Sequence, residues 1–118
     1  MDGAFLAFPL RGTRPTHHLH RTQMIFQLAY FMTHGHPCGT YEAAQVRKFQ
    51  LGRTETVRIC TAETVAWTKA MLDSGSNDVE RKALFAKAVG VHGKDMKNAS
   101  GGMGIDRHLF GKCVSQVG

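Results

Sequence analysis

The sequence predicts an α/β chain that is mainly helical, with one or two short strands. Two observations carry this. Stretches of helical apolar spacing at 22–34, 62–74 and 78–99 occupy much of the 118 residues. Between the first two, Gly52 separates short runs suited to extended backbone, the second of which, "RTETVRI", is rich in β-branched residues. This length allows one domain at most.

Residues 1–21, ending in "RGTRPTHHLHR", show no clear period and hold two of the three prolines, so they read as disordered or weakly structured. In 22–34 Thr22 is the expected N-cap, and Gly35 with Pro37 stops the helix. Ile25, Leu28, Ala29 and Met32 share one face, yet Met24, Phe26, Tyr30 and Phe31 widen the apolar surface. A helix apolar nearly all round belongs in the interior of something larger. A strand is expected over 40–46 and an extended segment over 53–58. Thr61 then caps a helix in which Trp67 is a packing residue. Asn77 followed by Glu80 matches a capping box and opens a long helix. Val79, Ala83, Ala86 and Val89, with Leu84, Ala88 and Val91, give that helix a broad apolar face. Gly101 and Gly102 end it, and a further helix begins near Ile105.

The net charge of +6 favours anionic partners such as nucleic acid, a membrane surface or a phosphorylated cofactor, without choosing among them. Its distribution says more. No acid occurs from Gly3 to Tyr41, where Arg11, Arg14, Arg21 and five of the seven histidines lie; beyond Glu42 the signs interleave. The two parts look different in origin, and the opening reads as non-native or alternative sequence. "AFLAFPL" is too short and lacks the basic flank of a signal peptide, and no apolar run approaches the roughly 18 residues of a membrane span. Cys38, Cys60 and Cys113 form no Cys-x-x-Cys pair, so neither a disulfide framework nor a zinc site is expected. The "HHLH" cluster lacks a carboxylate or cysteine partner and reads as incidental rather than as a metal site.

Several motifs are set aside. "GGMG" at 101–104 follows a helix and lacks a Lys-Ser/Thr partner, so it ends a helix rather than cradling phosphate. There is no Gly-x-Ser-x-Gly. His108 beside Arg107 diverges from it by about 100° on a helix, and reads as a packing or capping histidine. What remains is Tyr41, Arg53, Thr54, Glu55, Thr56, Arg58 and Arg107. Singly these are ordinary surface groups. Together they offer a carboxylate an arginine fork, a phenol and a hydroxyl.

"QLAYFMTHGHPCGTYEAAQVRKFQLGRTETVR" together with "GMGIDRHLFGK" resembles the carnitine/choline acyltransferases, which move an acyl group between coenzyme A and the hydroxyl of carnitine or choline. The resemblance runs from about Met24 to Lys112, so residues 1–21 lie outside it and 22–118 form a partial acyltransferase domain. It implies a fragment of a chloramphenicol-acetyltransferase-like α/β fold. It also implies that Tyr41, Thr54 and Arg107 hold the carnitine carboxylate. Choline-type relatives carry a non-hydroxyl residue and a neutral amide where this chain has Thr54 and Arg107, because choline leaves a guanidinium unpaired. The resemblance is therefore to the carnitine type, and "HGHPCGTYE" and "GRTETVRICT" look most like its medium-chain, octanoyl-type peroxisomal members. Arg53, Glu55 and Arg58 are expected to bridge neighbouring elements.

The same comparison implies what is missing. The family's general base sits in His-x-x-x-Asp, and none of the seven histidines has aspartate four residues on. The Ser-Thr-Ser oxyanion segment is also absent. No catalytic residue is therefore assigned, and the chain alone is expected to be inactive. Acyl-CoA and carnitine are expected as substrates of the intact enzyme, with no bound cofactor or metal. No nucleic-acid partner is expected; the missing remainder of the domain is the macromolecular one. Peroxisome or mitochondrion is the implied compartment, without a clear targeting signal. The rival readings are a small basic binding module, with Lys82, Lys87, Lys94 and Lys97 as its stripe, and an inactive truncated product.

Overall fold

A computed structural model of the chain describes residues 15–116, with side chains from Leu19 onward. Its elements are α1 (Pro15–His34), β1 (Tyr41–Gln45), β2 (Thr54–Arg58), α2 (Ala62–Leu72), α3 (Asp78–Asn98) and α4 (Asp106–Ser115). Among the described residues the chain is thus mainly helical, with one two-stranded antiparallel sheet. The described elements form an elongated plate of 53 × 36 × 19 Å.

The helix caps follow from local chemistry. Thr61 accepts a hydrogen bond from the Thr64 amide, and Asn77 accepts one from Glu80. The capping box is modified, however: the Glu80 carboxylate takes the Ser76 hydroxyl at 2.9 Å. Arg81 closes the end of α2 by donating to the carbonyls of Ala70 (3.0 Å) and Asp73 (2.6 Å). α3 widens into a π-turn at Ala99–Met103, where Gly102 takes φ +80°, and the chain then turns into α4. The expected stop at Gly101 and Gly102 is therefore a change of helix type followed by a turn.

Between the strands, Tyr41 faces Arg58 and Gln45 faces Thr54. Two backbone hydrogen bonds, Phe49 to Val46 and Gly52 to Phe49, fold the connection. A Cβ at Gly52 would run into the Val46 carbonyl, so the turn admits only glycine.

The core sits where α1, α2 and α3 meet. Met24, Ile59, Trp67 and Ala88 are buried there, with Leu28, Met71, Leu84, Phe85 and Val89 packed around them. Trp67 lies against Phe85 with ring centroids 5.1 Å apart, as a packing residue should. Burying Met24, Ile59 and Trp67 each contributes on the order of 2 kcal/mol. A smaller cluster of Ala44, Val57 and Ala99 seats the sheet on the end of α3.

Three expectations change. α1 starts at Pro15, seven residues before the expected Thr22 cap, so 15–21 are helical rather than weakly structured; residues 1–14 lie outside the described residues. Proline suits a first helical position because its missing amide would be unpaired there anyway. The inward face of α1 runs through His20, Met24 and Gln27, while Ile25, Phe26 and Met32 face outward. Gln27 earns its place by hydrogen-bonding Thr40 across to the first strand. In α3 the buried positions are Ala88 and His92, whereas Val79, Ala83 and Ala86 are exposed. Both helices bury polar side chains that have partners, which apolar spacing does not report.

Candidate functional site

β2 and the first turn of α4 bring residues 52 to 53 positions apart into contact. Arg107 donates from Nη2 to Thr54 Oγ1 at 3.2 Å. At the other end of β2, Arg58 donates from Nε (3.2 Å) and Nη2 (2.8 Å) to a single carboxylate oxygen of Asp106. Between these two contacts Glu55 turns its Oε1 toward backbone amides, those of Thr56 (2.8 Å) and Arg107 (3.3 Å).

The role of Glu55 follows from what α4 lacks. Ile105 stands at its N-cap and has no side-chain oxygen to offer. The orphan amide of Arg107 is therefore capped from the neighbouring strand, and the negative carboxylate also suits the positive end of the helix. Asp106 in the first turn adds to the same effect.

The three nearby arginines have different fates. Arg58 is matched by Asp106. Arg53 is exposed and makes no side-chain hydrogen bond or ion pair among the described residues. Arg107 has a neutral hydroxyl as its hydrogen-bond partner, and among the described residues no carboxylate pairs with its guanidinium. Its positive charge thus remains uncompensated beside a hydroxyl, a pairing suited to a carboxylate or another oxyanion.

Of the three residues expected to share a pocket, the structure brings Thr54 and Arg107 together. Tyr41 lies on the same sheet face by strand alternation, but at the opposite end, where its cross-strand partner is Arg58. Four residues of strand separate it from the Thr54 end, roughly 13 Å at about 3.3 Å per residue. Its side chain is 73% exposed. Glu55 and Arg58 act as bridges, as expected, while Arg53 does not. His108 is exposed and has no hydrogen bond among the described residues, so it neither packs nor caps.

A second polar cluster escaped the sequence. His20 and His92 meet through their Nδ1 atoms at 2.7 Å, and His92 Nε2 lies 3.5 Å from Glu42 Oε2. His92 is 1% exposed. Burial, then the neighbouring His20, holds its imidazole below the usual range, against an opposing pull from Asp95; burial raises the Glu42 carboxyl. The signal available was the spacing of His92 four residues beyond Ala88 on the buried face of α3.

Among the described residues, no group of three or more His, Cys, Asp or Glu side chains could hold a metal ion, and no helix is long and apolar enough to cross a membrane. All three cysteines are free. Lys82, Lys87, Lys94 and Lys97 are all exposed on α3, as a solvated helix face would be.

Comparison with known proteins adds a direct line. The sequence profile described as Choline/Carnitine o-acyltransferase matches residues 20–116. Peroxisomal carnitine O-octanoyltransferase of Homo sapiens is 48% identical over 89 residues, covering 75% of this chain and 14% of that protein. Carnitine O-palmitoyltransferase 1, muscle isoform, of Homo sapiens is 46% identical over 88 residues, 75% of this chain and 11% of the relative. Carnitine O-acetyltransferase of Homo sapiens is 42% identical over 95 residues, 80% of this chain and 15% of the relative. The chain therefore spans about one seventh or less of the length of these relatives.

Proposed function

The chain belongs to the choline/carnitine O-acyltransferase family, and on that premise we propose that it supplies part of the carnitine-carboxylate subsite of a carnitine O-acyltransferase. The observation that carries this is the 3.2 Å contact between Arg107 Nη2 and Thr54 Oγ1. It joins a guanidinium without an acidic partner to a hydroxyl that can donate its own proton to an oxyanion. A carboxylate placed there replaces no existing ion pair. Choline offers that guanidinium nothing, so the pair distinguishes the two alcohols by charge. Tyr41, on the same face beside Arg58, stands too far along the strand to join that fork in this arrangement.

The whole reaction is reversible acyl transfer between acyl-CoA and carnitine, in a chloramphenicol-acetyltransferase-like fold of which this chain forms a helical portion. In this reading the parent protein works in lipid metabolism, in the peroxisome or the mitochondrion, and the likeness to octanoyltransferases supports the former. Coenzyme A is its co-substrate, and no cofactor is bound. The 118 residues hold no His-x-x-x-Asp, so the chain binds the alcohol without activating it.

The test is a pair of measurements on the chain. L-Carnitine should shift the NMR resonances of Thr54 and Arg107 at concentrations where choline does not, and Arg107→Asn should erase the difference. Octanoyl-CoA with L-carnitine should release no CoA beyond the carnitine-free rate. Equal responses to carnitine and choline would overturn the subsite; carnitine-dependent turnover would overturn the assignment of inactivity.

A further inference from the structure

We propose that His20, His92 and Glu42 form a proton-linked latch that fastens α1 to α3 and β1 at neutral pH and releases α1 in mild acid. The inference stands apart from carnitine binding. It rests on three side chains from three elements, joined in a row inside the molecule.

The geometry sets the rule. His20 Nδ1 and His92 Nδ1 are 2.7 Å apart, so one of them must donate and the other accept. The rings meet edge to face, with centroids 4.7 Å apart. Beyond them, His92 Nε2 and Glu42 Oε2 are buried 3.5 Å apart, within ion-pair distance once the ring is protonated, and neither atom has a hydrogen-bond partner. The row accepts one imidazolium at most. With one ring neutral, a proton is shared across the 2.7 Å gap and Glu42 balances the charge. With both rings protonated, two N–H groups face each other, the hydrogen bond is lost, and two positive charges are enclosed together.

Charged groups stand near the row on each of the three elements. His20 comes from α1 and Glu42 from β1, while Asp95 lies on α3 itself and favours protonation of His92. Lys97, exposed on α3, lines the adjoining groove. That groove, about 520 Å³ in volume, is bordered by Leu19, His20, Glu42, Gly93 and Met96, giving solvent protons a route to the row.

The direction of the pH effect follows from the native pKa of His92. It is depressed, chiefly by burial and next by His20. The unfolded chain therefore takes up the proton first, and stability present above about pH 6.5 is lost as pH falls below it. Glu42 is raised by burial, so its contribution runs the other way: present in acid and lost as pH rises through its native pKa. The two contributions oppose each other where their ranges overlap, above the ordinary glutamate value of 4.5. One excluded proton changes the equilibrium by at most tenfold per pH unit, so about 30-fold is the ceiling on the loss between pH 7.5 and 5.

The experiment is amide hydrogen exchange on the intact 118-residue chain across pH 7.5 to 5, corrected for intrinsic rates and read over residues 19–28. The wild type should lose α1 protection below pH 6.5 by more than threefold and at most about 30-fold, and His92→Gln should stay within about threefold. A flat wild-type profile, an equal loss in His92→Gln, or an α1 already unprotected at pH 7.5 overturns the latch. Should His92→Gln fail to fold, ring ¹⁵N titration of the wild type decides. Protonation of the second ring must coincide with loss of α1 protection; two rings titrating independently near 6.5 while protection persists refute it.

Discussion

Gly104→Ala offers a sharp test of how the site is held together. Gly104 has φ −73° and ψ 144°, values open to any residue, so its backbone raises no objection to a side chain. The objection is Glu55. A Cβ built at Gly104 overlaps Glu55 Cγ and lies 2.6 Å from Cδ and 3.0 Å from Oε2. The carboxylate must swing away, and it then gives up the Arg107 amide at 3.3 Å. Because Ile105 offers no cap of its own, α4 loses the cap on its first turn. Losing a cap costs about 1 kcal/mol, within a range of 0.5–2. Roughly fivefold more opening of α4 should result. Amide exchange of α4 compared with α2 measures it: the α4 amides should accelerate while those of α2 hold. The Arg107–Thr54 contact should weaken in parallel, visible as loss of the carnitine-induced shifts. Unchanged α4 exchange in Gly104→Ala would show that Glu55 does not cap the helix, and the account of the site would fail.

Two further substitutions probe the frame. Gly52→Ala drives a methyl into the Val46 carbonyl and to within 2.9 Å of the Phe49 carbonyl, neither of which can rotate aside. The strand pair should separate, with loss of the cross-strand backbone NOEs between Tyr41 and Arg58. Retention of those NOEs would mean that the turn is more pliable than described. Trp67→Ala should cost about 3–5 kcal/mol by emptying the space against Phe85, Met24 and Ile59. Against the roughly 5–15 kcal/mol expected of a small domain that is a large share, so calorimetry should show the transition lowered by about 10 °C or more. A transition retained within a few degrees of the wild type would place the core elsewhere.

Much of this was legible because it is local. Thr61 and Asn77 announce helix starts because a side-chain oxygen reaches an amide three residues on. Gly52 announces the hairpin because only a residue without a Cβ fits there. The start of α1 was hidden, since a run of histidines and arginines breaks the apolar period that marks a helix. Its inward face was misjudged for a related reason. With apolar residues on every side, hydrophobicity expresses no preference, and the choice fell to Gln27 and His20, which find partners across the fold. The pairing of Thr54 with Arg107 came from the motifs of a family rather than from any local rule. The position of Tyr41 at the far end of the sheet, and the capping of α4 by Glu55, are set by distances between remote segments. No spacing within a motif encodes them.

α4 has no buried residue, while Ile105, Leu109, Phe110 and Val114 lie on its surface. Its named attachments to the sheet are Arg58 to Asp106, Arg107 to Thr54 and Glu55 to the Arg107 amide, each with at least one charged partner. The two halves of the molecule therefore answer to different solvents. Dissolved ions shield exposed charges over about 10 Å at 0.1 M and about 3 Å at 1 M, yet they leave the contact of Trp67 with Phe85 untouched. Brine should loosen the arm that carries Arg107 while the three-helix body keeps its shape.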